Sequence, residues 1–248
     1  MDLGISGRRA AVAAATAGLG YASAEALVAE GVRVAICGRD PERTELAAKS
    51  LGGDTVALSF DVSEPEGAAA FVAAAKQSLG GIDILIANGG GPPPGPALDA
   101  ELDDLRAAVD RCLLSMVAMC QGVLPDMQEQ GFGRIVAITS GGVREPLGNM
   151  VYSNTARAGL TGYLKTLSRE VIGSGVTVNS LLPMSIETER LRSLMGDHME
   201  AMLAATPAGR GGSATHFGRV AAFLCSQWAD YLSGVALPVD GAAGHALA

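Results

Sequence analysis

The sequence predicts a single α/β domain over residues 1–248, built on a doubly wound parallel sheet of about seven strands with helices on both faces. Two observations predict it. Short apolar runs rich in Val and Ile alternate with helical periodicities from end to end, and no linker, repeat or composition break interrupts them. The strands are too apolar to keep one wet face, which is the mark of parallel strands covered on both sides by right-handed crossovers.

The elements follow in order. Residues 9–15 form a first strand, and 18–30 place Leu19, Ala22, Ala26 and Leu27 at helical spacing. Residues 32–37 are a strand stopped by Gly38; 42–51 are helical; 55–59 are a third strand; and 66–78 are an Ala-rich helix. Residues 82–87 are a fourth strand that ends in a Gly/Pro-rich loop reaching Pro96. A long helix over 102–130 leads to a strand at 134–139, a helix at 152–172, a strand at 176–182 and a last short strand at 235–239.

Composition removes several function classes. Aromatics are 4% and the net charge is −8 without a Lys/Arg run, so neither the stacking platform nor the basic face of a nucleic-acid binder is present. Three histidines and four cysteines show no metal-ligand spacing, and the cysteines read as buried thiols of a reducing, cytoplasmic compartment. Arg8-Arg9 and the apolar residues after them imitate a secretory leader. Asp2 spoils its basic end, however, and the run stops at Gly18-Leu19-Gly20, so residues 9–15 are expected to stay as the first strand. No uncharged apolar stretch nears the ~20 residues of a membrane span.

The chemistry-bearing signal starts at Ala14-Ala15-Thr16-Ala17-Gly18-Leu19-Gly20, between the first strand and the first helix. Small residues there let a phosphate reach the backbone, and the helix N-terminus offers unpaired amides and a positive dipole end. The order of further motifs resembles the short-chain dehydrogenase/reductase family over nearly the whole chain. Gly18, Leu19 and Gly20 match its glycine turn, while Ala13 and Ala14 replace its Thr-Gly. Asp61-Val62, Ile86-Ala87-Asn88-Gly89-Gly90, Gly133-Arg134-Ile135-Val136, Val178-Asn179, Pro183-Met184 with Thr188, and Asp240-Gly241 stand where the family has equivalent motifs. Met184 replaces a glycine.

The resemblance implies a Rossmann fold, a nicotinamide dinucleotide and a carbonyl/alcohol reaction on a small organic substrate, in the manner of the 3-oxoacyl-carrier-protein reductases. The cofactor would lie along Ala14, Thr16, Gly18, Leu19, Gly20, Asp61, Val62, Asn88, Gly89, Pro183, Ile186 and Thr188. Gly38 stands where NAD enzymes place an acid, and Arg39 follows it with a fork suited to a 2′-phosphate. NADP is therefore expected, with NAD as the alternative. A homotetramer and a substrate lid at 185–206 are also implied.

The catalytic positions depart from the family. Its Ser falls on Ser140, but its Tyr falls on Ser153, its Lys on Arg157 and its Asn on Cys112. Tyr152 is adjacent and could serve only if the helix start shifts, since one helical step turns a side chain by ~100°. Ser140, Tyr152 or Ser153, and Arg157 are thus the catalytic candidates, with Arg157 also placed to hold the nicotinamide ribose. Arg144, Met150 and Met184 are candidates for substrate contact, with an Arg144–Glu145 surface pair as the plainer reading. A nucleotide-binding sensor or scaffold without turnover, or a lyase on the same frame, remains open at this point.

Overall fold

The computed structural model describes residues 1–247. Its main sheet contains β1 (Arg9–Val12), β2 (Arg33–Gly38), β3 (Val56–Ser59), β4 (Ile84–Ala87), β5 (Gly133–Ile138), β6 (Val176–Pro183) and, after a two-stranded ribbon of β7 (Ile186–Glu187) and β8 (Gly212–Ser213), β9 (Ala236–Val239). Every pairing is parallel, in the order β3-β2-β1-β4-β5-β6-β9. The predicted doubly wound sheet is what the chain forms. Strand order reverses between β1 and β4, and the crevice beyond their carboxyl ends is where such sheets take ligands.

Two apolar layers hold the helices to the sheet. On one face α3 (Pro65–Leu79), α5 (Ser115–Gln130) and α6 (Val151–Val171) bury Phe71, Val72, Met116, Met119, Leu160 and Leu164 against Leu85, Ile135 and Val178. On the other, α1 (Gly18–Ala29) packs Ala24 and Leu27 beside Phe217, Ala221 and Leu224. Fully burying each large side chain contributes about 1.5–3 kcal/mol. The remaining helices are α2 (Pro41–Leu51), α4 (Leu102–Val109), α7 (Glu189–Met195), α8 (Met199–Ala204) and α9 (Ala214–Leu224).

The last of these has no counterpart in the sequence expectation. Ser213 starts α9, its Oγ accepting from His216 N, and Phe217, Ala221 and Leu224 repeat at helical spacing. Gly218 lets it lie directly on the α1 backbone, because a Cβ there would strike the Ala22 carbonyl.

The single long helix expected over 102–130 is divided. A π turn at Asp110–Leu114 separates α4 from α5, with Ser115 Oγ donating to Asp110 O at 2.8 Å. Leu102–Gln130 is long and apolar enough to cross a bilayer by length and composition. Met116, Met119, Cys120, Val123 and Met127 instead spend that apolar surface on the sheet.

The twin arginines serve the fold. Arg9, in β1, grips Asp83 before β4 through Nε (2.8 Å) and Nη2 (2.8 Å), and its amide donates to the same carboxylate. Arg8 lies over the Phe132 ring at 3.7 Å.

Candidate functional site

The turn after β1 is shaped for a diphosphate. Ala14 adopts φ 47° and Gly18 φ 62°, bending the chain sharply before α1. Ala17 takes the N-cap without a side-chain bond, so the amides opening α1 face the crevice uncapped. Gly20 is required by close approach: a Cβ would sit 2.6 Å from Ala14 O and 2.7 Å from Asn88 Nδ2. The methyl of Thr16 packs where Gly38 lacks a side chain, bracing the turn against the end of β2. From the far side Thr188 faces the turn, its Cγ2 3.9 Å from the Cβ position of Gly18. Thr188 Oγ1 also caps α7 by accepting from Leu191 N at 3.2 Å. The turn therefore offers a dinucleotide's diphosphate uncapped amides at the start of α1, with a threonine facing them.

Other expected cofactor residues sit around this turn in two ways. Asn88 donates from Nδ2 to the carbonyls of Ala13 (3.2 Å) and Ala14 (3.1 Å), so its side chain braces the turn. Val62 and Ile186 are buried in the two apolar layers, and Gly89 abuts Met116 Cε. Their side chains shape the walls. Asp61 stands exposed; what burial it has pushes its carboxyl up, but the Ser63 amide and hydroxyl, Arg39 and Arg111 together hold it below the usual carboxylate range. Arg39 is exposed and enters no ion pair among the described residues. Neither Asp40 nor Glu42 takes it: Asp40 caps α2 through Arg43 N, and Arg43 reaches Glu189 at 3.3 Å.

At the other end of the crevice the β5 terminus meets α6. Ser140 Oγ accepts from Gly142 N at 3.1 Å, at the head of a short turn. Arg157 is 7% exposed and donates from Nη1 to Ile138 O at 3.0 Å, two residues before Ser140. Ser153 lies one helical turn from Arg157 and is buried. Met184 packs over Gly141, and Pro183 closes β6 next to it.

Tyr152 is turned elsewhere. Its ring packs with Ala108, Cys112 and Ala156 and against Gly95. Its hydroxyl accepts from Glu101 N at 3.1 Å and reaches Asp104 Oδ2 at 3.5 Å. The α6 register thus gives Tyr152 to the 95–104 segment. Met150 opens α6 and bridges the backbone of Gly95, tying the same segment down.

The Arg144–Glu145 pair does not form. Arg144 donates from Nη2 to Ala236 O at 2.6 Å, while Glu145 binds His245 through its amide (2.9 Å) and ring (3.2 Å). Arg144 is thereby spent on the strand end, away from a substrate role. The four cysteines are unpaired and buried, and burial pushes the Cys37, Cys120 and Cys225 thiols up to about 12.

Sequence reasoning missed two arginines on the segments that flank the loop after β4. Arg190, on α7, donates to Pro92 O at 3.3 Å; Arg111, in the π turn, has a buried Nε without a hydrogen-bond partner. Their signal was slight: one arginine just past Thr188, another opening an apolar run.

Comparison with known proteins gives the chain's relatives. The family model described as Enoyl-(Acyl carrier protein) reductase matches residues 13–243. The 3-oxoacyl-[acyl-carrier-protein] reductase FabG of Salmonella typhimurium is 32% identical over 241 residues, covering 96% of this chain and 98% of that protein. L-sorbose reductase from Gluconobacter frateurii, solved with NADPH and L-sorbose, superposes with a TM-score of 0.94 at 30% identity over 100% of both chains. A 7α-hydroxysteroid dehydrogenase complexed with NADH and 7-oxo glycochenodeoxycholic acid superposes at 0.92 and 28% identity, over 100% of this chain and 98% of that one.

Proposed function

This chain belongs to the short-chain dehydrogenase/reductase family, and we propose that it uses NADP to interconvert a carbonyl and an alcohol on a small organic molecule. The observation that supports the reading is the uncapped Gly18–Gly20 turn with Thr188 facing it, at the switch point of the sheet, with Ser140 and Arg157 at the end of β5. Arg39 supports NADP over NAD, since an exposed guanidinium held in no ion pair among the described residues suits a 2′-phosphate. The buried free thiols support a reducing, cytoplasmic setting. A homotetramer is consistent with the exposed Leu102 on α4, beside the half-buried Leu105 and Val109.

The chemistry at Ser140 differs from a tyrosine-based proton transfer. When bound, the cofactor supplies the hydride. Ser140 Oγ holds the substrate oxygen, and the guanidinium of Arg157 stabilises negative charge developing there. A Ser hydroxyl is a weak acid, so Ser153 passes a proton from water rather than releasing its own net. Tyr152 takes no part.

The test is fluorescence titration with NADPH and NADH, then a screen of NADPH oxidation over ketones and aldehydes. The charge-assisted bonds to Arg39 predict NADPH tighter by about ten- to a hundredfold, and Arg39→Ala should erase the preference. Binding without turnover on any carbonyl would return the non-catalytic, nucleotide-binding reading.

A further inference from the structure

The loop that carries the chain from Ser140 to α6 is pinned along its length. Met184 lies over Gly141, Arg144 donates from Nη2 to Ala236 O at 2.6 Å, and Asn149 O accepts from Gly95 N at 2.8 Å. Asn154 of α6 holds Leu147 twice, donating to its carbonyl (2.8 Å) and accepting from its amide (3.3 Å). The remaining pin is Glu145. Its Oε2 accepts from His245 N at 2.9 Å, and its Oε1 stands 3.2 Å from Nδ1 of the His245 ring. Among these pins only this one contains an imidazole, the side chain that ordinarily changes charge near neutral pH.

The partner segment is folded so as to present His245. Beyond β9 the chain forms a hook: Asp240 Oδ1 accepts from Ala242 N at 3.0 Å and Oδ2 from Gly244 N at 3.1 Å, with Ala242 at φ 66°. His245 follows directly, and its amide and ring meet one carboxylate. A pair of free surface side chains contributes little, because two mobile chains must be ordered to make it. Here the hook and the other loop pins supply much of that order. The charged groups on the segments that meet here are Glu145, Arg144, whose guanidinium lies on Ala236 O, and Asp240, whose oxygens are taken by its own hook. The His245 amide, joined by the charge and hydrogen bond of the ring, outweighs desolvation and holds the Glu145 carboxyl below the usual carboxylate range. Glu145 is therefore ionised wherever an imidazole titrates.

We propose that Glu145 is a positioning residue, clasped by His245 so that the C-terminal hook steadies the loop after Ser140 for substrate, more firmly when the imidazole is protonated. The proposal rests on the reductase reading for what the loop borders, but it fails separately from it. A protonated ring gives a charge-assisted bond, roughly twice as strong as a neutral one. A neutral ring with its proton on Nε2 leaves only the backbone bond. The grip is thus complete at mildly acid pH and weakens as pH rises through the imidazole range.

Hydrogen exchange over residues 141–149 and steady-state kinetics with NADPH test it, with His245→Gln as a fixed neutral residue and His245→Arg as a fixed cation. After correction for intrinsic exchange, the wild-type loop should be about threefold better protected near pH ~6 than near pH ~8, the scale of an exposed ion pair. KM for the most active carbonyl, taken relative to His245→Arg, should rise by about the same factor over that range, while kcat follows one profile in all three proteins. His245→Gln should show the weak grip at both pH values and His245→Arg the firm one. A folding defect would not separate the two substitutions in this way. Equal loop protection in wild type and His245→Gln near pH ~6 overturns the clasp. A clasp seen by exchange, with KM unmoved by either substitution, overturns its role in positioning. Absence of turnover on every carbonyl removes the reductase reading and the positioning role with it, while exchange alone decides the clasp.

Discussion

Tyr152→Phe distinguishes a structural tyrosine from a catalytic one. The hydroxyl accepts from Glu101 N at 3.1 Å and touches Asp104 Oδ2 at the outer limit of 3.5 Å. Glu101 is exposed, so its amide can take water when the phenol goes. The loss is then one ordinary hydrogen bond, about 1 kcal/mol. For a chain of this length that is a fall of about 2–4 °C in Tm. The ring keeps its packing against Ala108 and Ala156, so α6 and the Ser140–Arg157 geometry stay in place. With the most active carbonyl from the screen, kcat/KM should remain within about twofold of wild type, whereas removal of a general acid typically costs ~10²–10⁴. Arg157→Met, which strips the cation from the crevice, should lose at least ~10² in kcat, the scale of a lost oxyanion contact. The reasoning is refuted if Tyr152→Phe loses a hundredfold in kcat at unchanged Tm, since the hydroxyl would then be acting on substrate and not on Glu101.

Gly20→Ala should damage both binding and folding, because its Cβ would press on the Ala14 carbonyl oxygen and the Asn88 amide that shape the phosphate turn. Overpacking of this kind costs about 1–3 kcal/mol, read as a lower urea midpoint, and cofactor titration should show at least about tenfold weaker NADPH. A variant with wild-type midpoint and affinity would contradict the close approach. Asp83→Asn leaves Arg9 facing a neutral amide at a site 3% exposed, and should cost about 3 kcal/mol near neutral pH. Burial pushes the Asp83 carboxyl up, but the Arg9 hydrogen bonds and the charges of Arg9 and Arg8 outweigh it and hold the folded-state pKa below the unfolded value. Its contribution is therefore complete above pH ~4 and is lost as pH falls through the depressed folded value. Urea melts of both proteins should converge only below pH ~4, and a gap that widened on acidification would reverse the sign.

The sequence by itself determined the fold and the nucleotide end of the site. Strand and helix periods follow from where apolar residues fall, and the phosphate turn depends on small residues and backbone amides, which are local properties of Ala14 to Gly20. Even there α9 went unassigned, and the break at Asp110–Leu114 was invisible, because a π turn adds one residue to a helix without changing its composition. The catalytic end was decided by tertiary structure. Adjacent candidates on one helix, Tyr152 and Ser153, point about 100° apart, and which one faces Ser140 depends on how α6 is rotated against β5 and α4. That rotation is set by Leu160 and Leu164 in the sheet layer and by the ring of Tyr152 under residues 95–104.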